Sequence, residues 1–195
     1  MATQRVFQDL FSLLENIFFR YHFVMEYRQR PSLTPEKHLD SVNIDGVKLL
    51  RANVLGDDRG VIQEVIDVRD EYWNQGFVYL YKGTCRPGKF KGWGIHDNHT
   101  DRYIIIDGEM LLVLYDERES SPTNGTVQEF YLSSTGVWQI TIPSGVWHLH
   151  QNIGQRDLVF LNAPSAPYHH ANPDKRRLPV INDRIPYKLR PHIGW

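Results

Sequence analysis

The sequence predicts an all-β fold, a β-sandwich or a jelly-roll barrel, for most of its 195 residues. From residue 42 onward, short apolar or alternating runs of five to eight residues follow one another, and none has a helical period. Turn residues such as Asn124-Gly125 and Pro143-Ser144-Gly145 separate these runs. The predicted strands cover residues 47–54, 61–68, 77–82, 103–107, 110–116, 126–132, 137–142, 146–151 and 157–162.

A different pattern precedes the strands. Apolar residues between 5 and 28 recur at helical spacing, which predicts one amphipathic helix of about six turns. Charged residues interrupt the apolar stretch, so it is not a secretory signal. We expect the helix to pack on the main domain or on a partner subunit; a membrane-surface anchor is the alternative. Residues 30–38 contain two prolines and form the predicted linker, which gives an N-terminal segment 1–38 and a domain 39–195.

The end of the chain, residues 163–195, is rich in proline and has few periodic runs. We expect this tail to be irregular and to wrap around the barrel.

Composition excludes several classes of function. The formal charge of −1, from 22 basic and 23 acidic residues, provides no long-range field for nucleic acid or an anionic membrane. A local basic pocket remains compatible with this balance. The single cysteine, Cys85, excludes an internal disulfide and a multi-cysteine zinc site, and indicates a cytoplasmic location. No apolar run approaches the ~20 residues that a membrane helix needs.

Six of the nine histidines lie between residues 96 and 170, and four of these six are in the predicted β region. Since alternate residues of a strand share a face, His148, His150 and Asn152 project together, and Trp147 and Leu149 project to the other side. Imidazoles in the pocket of a small barrel bind metals or move protons, although a strand histidine is more often a packing residue.

Two sets of residues carry a resemblance to a known family. The spacing G-x6-P-x-G-x2-H-x3-N, from Gly136 to Asn152, resembles the second conserved motif of cupins. The order of landmarks across residues 45–188 resembles the dTDP-4-dehydrorhamnose 3,5-epimerase family over about three quarters of the chain. These landmarks are Asp45-Gly46-Val47, Asp57-Asp58-Arg59-Gly60, Glu64, Gly94-Ile95-His96, the run from Asp116 to Gly125, Pro143-Ser144-Gly145-Val146-Trp147-His148, Tyr168 and Asn182-Asp183.

The resemblance implies a jelly-roll cupin barrel that forms a homodimer, uses no metal or other cofactor, and acts on nucleotide-linked 4-keto-6-deoxyhexoses. Such a reaction removes a weakly acidic proton next to a ketone, so it needs a base, a partner for the enolate oxygen and an acid on the opposite face. By matching motifs, His96 is the base and Asp183 orients it, while His148 binds the sugar or its enolate oxygen.

The remaining positions are assigned to substrate binding. Arg59 matches the arginine that holds the phosphate or sugar, and Glu64 matches a pocket carboxylate. Arg102 lies near the family cation that serves the oxyanion. We add His150 and Asn152 because they share the predicted face of His148.

The sequence departs from the family at the acid. Two tyrosines six residues apart are usual, and the first is the proposed acid; here the positions hold Asn162 and Tyr168. Asparagine has no titratable proton, so Tyr168 or one of His169 and His170 takes the role, or only one centre is inverted.

Two alternatives stay open. A metal-dependent cupin oxygenase or isomerase would use His96, His99 and His148 as ligands, although the usual His-x-His pattern is absent and Arg102 stands where a carboxylate is wanted. A non-catalytic barrel would bind a nucleotide sugar without exchanging its hydrogens with solvent.

Overall fold

A computed structural model describes residues 44–51, 54–69, 72–73, 76, 78–136 and 138–189. The predicted N-terminal helix, the linker and the domain division after residue 38 lie outside these ranges and stay predictions. The strands are β1 (Lys48–Arg51), β2 (Val54–Asp57), β3 (Gly60–Gln63), β4 (Tyr81–Cys85), β5 (Phe90–Ile95), β6 (Asp101–Asp107), β7 (Glu109–Asp116), β8 (Val127–Ser133), β9 (Trp138–Ile142), β10 (Val146–Asn152), β11 (Leu158–Asn162) and β12 (Arg176–Arg177).

Two five-stranded antiparallel sheets form the barrel. One has the order β1-β9-β6-β11-β4 and the other β12-β5-β10-β7-β8, and β2 with β3 forms a separate hairpin. Except for β7 and β8, neighbouring strands in these two sheets are not consecutive in the chain, as in a jelly roll. The predicted all-β jelly-roll fold is therefore confirmed. No helix in the described residues is long and apolar enough to span a membrane.

The main core lies between the two sheets and follows the alternation of the strands. On β7, Met110, Leu112 and Leu114 face this core, whereas Leu111 and Val113 belong to a second apolar cluster on the other face. The same alternation on β10 sends Trp147 and Leu149 to that second cluster.

The C-terminal tail covers the second cluster. Its apolar residues, among them Val180 and Ile185, pack against Trp93 and Trp147, and the Trp93 indole donates a 3.2 Å hydrogen bond to the Val180 carbonyl. Apart from the two residues of β12, the described tail has no regular structure. The prediction of an irregular tail that packs on the barrel is confirmed as far as residue 189.

Several predicted strands differ in their limits. The region 61–68 ends as a strand at Gln63, and the predicted 77–82 strand is observed as Tyr81–Cys85. The sequence analysis missed β5 (Phe90–Ile95) because its two glycines weaken the strand pattern. Pairing with β10 on one side and β12 on the other keeps this segment extended.

Candidate active site

Three buried side chains meet at one end of the barrel. His96 directly follows β5, Asp101 begins β6 and His148 lies on β10. The Asp101 Oδ2 atom lies 3.5 Å from His96 Nε2 and 3.7 Å from His148 Nε2. Strand pairing brings them together, since His148 on β10 is in register with Gly94 on β5. We call His96, Asp101 and His148 the His–Asp cluster.

The loop between β5 and β6 is held by one residue of the C-terminal tail. The Asp174 carboxylate accepts hydrogen bonds from the backbone N–H groups of Asp97 and Asn98, at 3.0 and 2.9 Å. It also lies 3.0 Å from His99 Nδ1, and His99 Nε2 lies 3.6 Å from Asp101 Oδ1. Burial opposes a charged His99, but its bonds and charges with Asp101 and Asp174 outweigh burial and raise its pKa.

His96 is held in one tautomer. Its Nδ1 is hydrogen-bonded to the backbone carbonyl of Asp174, and because a carbonyl only accepts, Nδ1 carries the proton. The other nitrogen, Nε2, is then the proton acceptor and faces Asp101. Burial lowers the pKa of His96, while the charge of Asp101 opposes that shift. His96 is therefore a neutral imidazole at pH 7 whose protonated form has a carboxylate beside it.

His148 and Asp101 have unused hydrogen-bonding capacity. Within the described residues, neither His148 Nε2 nor Asp101 Oδ2 makes a hydrogen bond, and both atoms are buried. Burial lowers the pKa of His148 to about 3. Burial also favours a neutral Asp101, but the three neighbouring histidines and the Asn162 amide outweigh it and lower the pKa of Asp101. Asp101 is therefore a buried carboxylate whose free oxygen faces two imidazoles.

A cavity of about 480 Å³ opens beside the cluster, a volume typical of small-ligand sites. His148 forms part of its wall, and His96 does not; the His96 ring stacks near that of His148 with 5.5 Å between centroids. Four cations and no carboxylate are among the described residues that line it. The wall consists of Tyr81, Lys82, Gly83, Phe90, Lys91, Gly92, Trp93, Tyr103, His148, His150, Phe160, Lys175 and Arg177.

Lys175 is the cation next to the cluster. Its side chain passes directly over Gly94, where an added Cβ would meet Lys175 Cε at 2.7 Å and His148 Nε2 at 3.3 Å. Burial lowers the pKa of Lys175, and no carboxylate of the described residues forms an ion pair with it. Sequence analysis missed this residue because nothing in the irregular tail indicates which side chain turns inward.

His150 joins His148 on the cavity wall, as their shared strand face predicts. Neither ring nitrogen of His150 has a hydrogen-bond partner in the described chain, and burial lowers its pKa to about 3. Asn152, predicted to share this face, instead closes the end of the strand. Its amide donates to the carbonyls of Cys85 and Arg156, so its role is structural.

The predicted orienting residue requires correction. Asp183 is exposed in the tail, in a turn whose backbone N–H groups are bound by the Asn182 side chain, and the carboxylate beside His96 belongs to Asp101. Side chains alternate between the two faces of β6, and this alternation points Asp101 into the barrel. Asp183 lies in an irregular segment, where no such alternation sets the direction of the side chain.

Arg102, which was expected near the substrate, also lies elsewhere. Asp101 faces inward, so the next side chain faces outward, where the Arg102 guanidinium donates to the carbonyls of Ala163 and Gly76. It lies 4.6 Å from the centre of the Trp73 ring. Arg102 thus contacts Trp73 and Gly76 and is not one of the residues of the cavity wall.

The remaining predicted residues lie outside the cavity wall. Arg59 is in the β2–β3 turn, with its side chain 85% exposed and paired with Asp57, and Glu64 is exposed just after β3. Tyr168 is 40% exposed, with its ring edge against His170. Within a single chain, Arg59, Glu64 and Tyr168 therefore lie away from the cavity.

Two groups of side chains have the spacing to hold a metal ion. They are the His–Asp cluster and a second group of His96, His99 and Asp174. Ligands about 2.1 Å from a tetrahedral metal lie ~3.4 Å apart, close to the separations around Asp101 Oδ2. The His–Asp cluster offers two imidazoles and one carboxylate, and this donor set fits zinc or iron.

Comparison with known proteins agrees with this architecture. A family profile described as dTDP-4-dehydrorhamnose 3,5-epimerase matches residues 41–178. The chain is 30% identical over 142 residues to the spore coat polysaccharide biosynthesis protein SpsL of Bacillus subtilis, covering 73% of this chain and 93% of that protein. It is 33% identical over 139 residues to the probable low-salt glycan biosynthesis epimerase Agl13 of Haloferax volcanii, covering 70% and 88%.

The fold is also similar to solved structures. The crystal structure of a dTDP sugar isomerase from Desulfovibrio desulfuricans superposes with a TM-score of 0.70 and 23% identity, covering 75% of this chain and 92% of that one.

Proposed function

Since the chain belongs to the dTDP-4-dehydrorhamnose 3,5-epimerase family, we propose that its barrel inverts a carbon next to the ketone of a nucleotide-linked 4-keto-6-deoxyhexose. It is an isomerase. The observation that carries the mechanism is the buried His–Asp cluster at the wall of a cavity lined with cations. The roles of individual residues, given below, are part of the proposal.

His96 is the proposed base. It is neutral at pH 7, its tautomer leaves Nε2 as the acceptor, and the Asp101 carboxylate stabilises the imidazolium formed when Nε2 takes the proton. His148 faces the cavity with a free Nε2 and binds the ketone oxygen, which becomes the enolate oxygen. His148 is also nearer the cavity than His96, so it is the direct competitor for the role of base, although its lower pKa makes it a weaker one.

The cations of the wall fit the rest of the substrate. A nucleoside diphosphate carries negative charge at its two phosphates, and Lys82, Lys91 and Arg177 supply positive charge in the same cavity. Lys175 lies closer to His148 and is placed to stabilise the enolate oxygen. Lys175 thereby takes the part that the sequence analysis gave to Arg102.

Deuterium incorporation tests this function directly. The protein is incubated in D2O with a panel of 4-keto-6-deoxyhexoses linked to dTDP, UDP or GDP, and NMR identifies the carbon that gains deuterium. We expect exchange next to the ketone and a product with inverted configuration. Binding without exchange would instead indicate a non-catalytic sugar-binding barrel.

Matched histidine variants assign the base. His96→Asn should abolish exchange while leaving nucleotide binding intact, and His148→Asn should slow exchange without abolishing it. The exposed His170→Asn is the control and should behave as wild type. Full exchange in His96→Asn would refute His96 as the base, and loss only in His148→Asn would transfer the role to His148.

A homodimer is part of the proposal. The β2–β3 hairpin exposes Leu55, Val61 and Ile62 by 68 to 72%, and Leu55 and Ile62 are cross-strand partners. An apolar exposed hairpin is typical of an interface, and a second copy of the chain would cover it. The turn of the same hairpin carries Arg59, which in a dimer could bind substrate away from its own cavity.

The oligomeric state tests this part. Light scattering with size-exclusion chromatography should give twice the chain mass for the wild type and the chain mass for Leu55→Asp with Ile62→Asp. Arg59→Ala should keep the dimer and raise KM more than it lowers kcat. A monomeric wild type would refute the dimer.

The setting of the reaction follows from the relatives. Two of them are named for roles in spore coat polysaccharide and glycan biosynthesis, so we propose that this enzyme supplies a deoxysugar for a surface polysaccharide. We place the reaction in the cytoplasm, as the single cysteine indicates.

A metal-dependent reaction is the second candidate, and the spacing of the His–Asp cluster favours it. His96, His148 and Asp101 would hold the ion, which would polarise the ketone oxygen. Metal analysis of the purified protein separates the two candidates. The metal-free epimerase should contain less than about 0.1 ion per chain and keep its activity in a chelator, whereas one tightly bound transition metal per chain would support the second candidate.

A further inference from the structure

An inverting reaction needs an acid, and Tyr168, which the sequence predicts for this role, lies outside the cavity wall. Removing the proton from one face of the carbon and returning one to the other face requires two groups on opposite sides of the sugar. His96 and His148 belong to the sheet that contains β5 and β10. The acid must therefore come from across the cavity, where the position expected for it holds Asn162.

A tyrosine hydroxyl accepts a hydrogen bond from the side-chain amide of that asparagine. Asn162 on β11 and Tyr81 on β4 are directly paired residues of the opposite sheet. The Asn162 Nδ2 atom donates at 2.8 Å to the Tyr81 hydroxyl and at 2.7 Å to Asp101 Oδ1. One amide therefore fixes the Tyr81 hydroxyl relative to the carboxylate that faces His96.

Tyr81 also reaches the substrate space. It lines the cavity together with His148, whereas Tyr168 does not. The residue is 38% exposed and lines the cavity, so a ligand bound there can contact it. Burial, followed by the charge of Asp101, raises the pKa of Tyr81 to about 12, so the hydroxyl holds its proton at neutral pH.

We propose that Tyr81 is the catalytic acid, positioned by Asn162, and that it replaces the family tyrosine missing at residue 162. This inference rests on the proposed function. His96 removes the proton, and the electrons of the C–H bond form the enolate. The enolate carbon then takes the proton of the Tyr81 hydroxyl on its opposite face and the ketone reforms. Water reprotonates the tyrosinate and accepts the proton of His96, so the net change is isomerisation.

Tyr103 is the other tyrosine on the cavity wall. It is only 3% exposed, and its ring packs against Phe160 and edge-on against His148 and His150. No described residue holds its hydroxyl by a hydrogen bond in the way that Asn162 holds that of Tyr81. Tyr103 is therefore a packing residue next to the histidines, and its variant belongs in the test.

The test separates exchange from inversion. In D2O, Tyr81→Phe should keep exchange next to the ketone with retained configuration, because His96 can still remove and return a proton on its own face. Formation of the inverted product should fall by about 100-fold or more, the usual contribution of a general acid. Tyr168→Phe and Tyr103→Phe should keep inversion, and Tyr131→Phe, on the exposed face of β8, is the surface control.

Each other outcome counts against the proposal. Normal inversion in Tyr81→Phe, or selective loss of inversion in Tyr168→Phe or Tyr103→Phe, would refute Tyr81 as the acid. Equal loss of exchange and inversion in a folded Tyr81→Phe would show a role in binding instead. A wild type without exchange on any substrate would refute the proposed function itself, which distinguishes the two failures.

Asn162→Ala is the second variant if Tyr81→Phe does not fold. It removes the amide that positions the hydroxyl and should lower the ratio of inversion to exchange by about 10-fold. An unchanged ratio would contradict the positioning of Tyr81 by Asn162.

Discussion

Asp101 is the residue on which the proposed active site depends. It is 2% exposed and lies among His96, His99 and His148, and one of its oxygens accepts from the Asn162 amide. A buried carboxylate is stable only when neighbouring groups compensate for its lost hydration. One fixed negative charge therefore lies beside His96, where the proposed mechanism forms an imidazolium.

The pH profile tests this arrangement. Because Asp101 raises the pKa of His96 and the neutral form is the base, Asp101→Asn should lower that pKa and move the acidic limb of kcat/KM to lower pH. The plateau rate should fall by about 100-fold, since the imidazolium loses its stabilising charge. A limb at unchanged pH would contradict the pairing of Asp101 with His96.

Lys175 should have the opposite effect on the profile. Its charge lowers the pKa of His96, so Lys175→Gln should move the acidic limb to higher pH. The loss of its ammonium from the enolate oxygen should also lower kcat by about 10 to 100-fold. Lys188→Gln, in the exposed part of the tail, is the control. A limb at unchanged pH in Lys175→Gln would mean that the Lys175 ammonium does not act on His96.

Among the elements, the β7–β8 hairpin shows how a motif with no catalytic role is built. The sequence predicts that the turn residues Asn124-Gly125 separate two strands, 110–116 and 126–132, and the antiparallel pairing of β7 with β8 confirms this. The buried Asp116 carboxylate accepts hydrogen bonds from the Arg118 guanidinium, the Ser121 hydroxyl and the Thr123 hydroxyl, at 2.6 to 2.8 Å. The Arg118 side chain continues to the Asp45 carbonyl and so joins the loop to the first turn of the barrel.

Asp116→Asn should therefore destabilise the protein by about 3 kcal/mol, as expected when one partner of a buried ion pair is removed. Burial alone would raise the pKa of Asp116, but the hydrogen bonds outweigh it and hold the pKa below the usual value. Such a group stabilises the fold above pH ~4, its unfolded pKa, and the contribution is lost as the pH falls towards the lower folded pKa.

Denaturant unfolding at pH 7 and at pH 3 measures both effects. The difference in unfolding free energy between wild type and Asp116→Asn should shrink at the lower pH. An equal difference at the two pH values would mean that the lost interaction does not depend on the charge of Asp116.

For the molecule as a whole, positive charge is concentrated at the cavity although the net charge of the chain is close to zero. The chain has a formal charge of −1, yet four cations line one cavity without a carboxylate among the described wall residues. A local site for an anion is therefore compatible with an overall charge close to zero.

Ligand-induced stabilisation tests this. A nucleoside diphosphate at 100 times its Kd should stabilise the fold by about 2.7 kcal/mol and raise Tm by several degrees. dTDP should therefore raise Tm at concentrations where thymidine does not, and Lys91→Gln with Arg177→Gln should lose most of that rise. Equal effects of thymidine and dTDP would refute binding of the phosphates by these cations.

The sequence by itself determined the all-β fold and the inward face of β10, and it singled out His96 and His148, which the structure brings together beside Asp101. Alternating apolar residues and turn residues are local patterns, and so is the spacing of a motif within one segment. Local patterns of this kind can be recognised without knowing which segments pair in the fold. Only the tertiary structure decided that Asp101 stands beside His96 instead of Asp183, that Lys175 replaces Arg102 on the cavity wall, and that Asn162 holds Tyr81. These contacts join strands and a tail that are distant in sequence, and sheet register, which no local pattern encodes, sets which side chains meet.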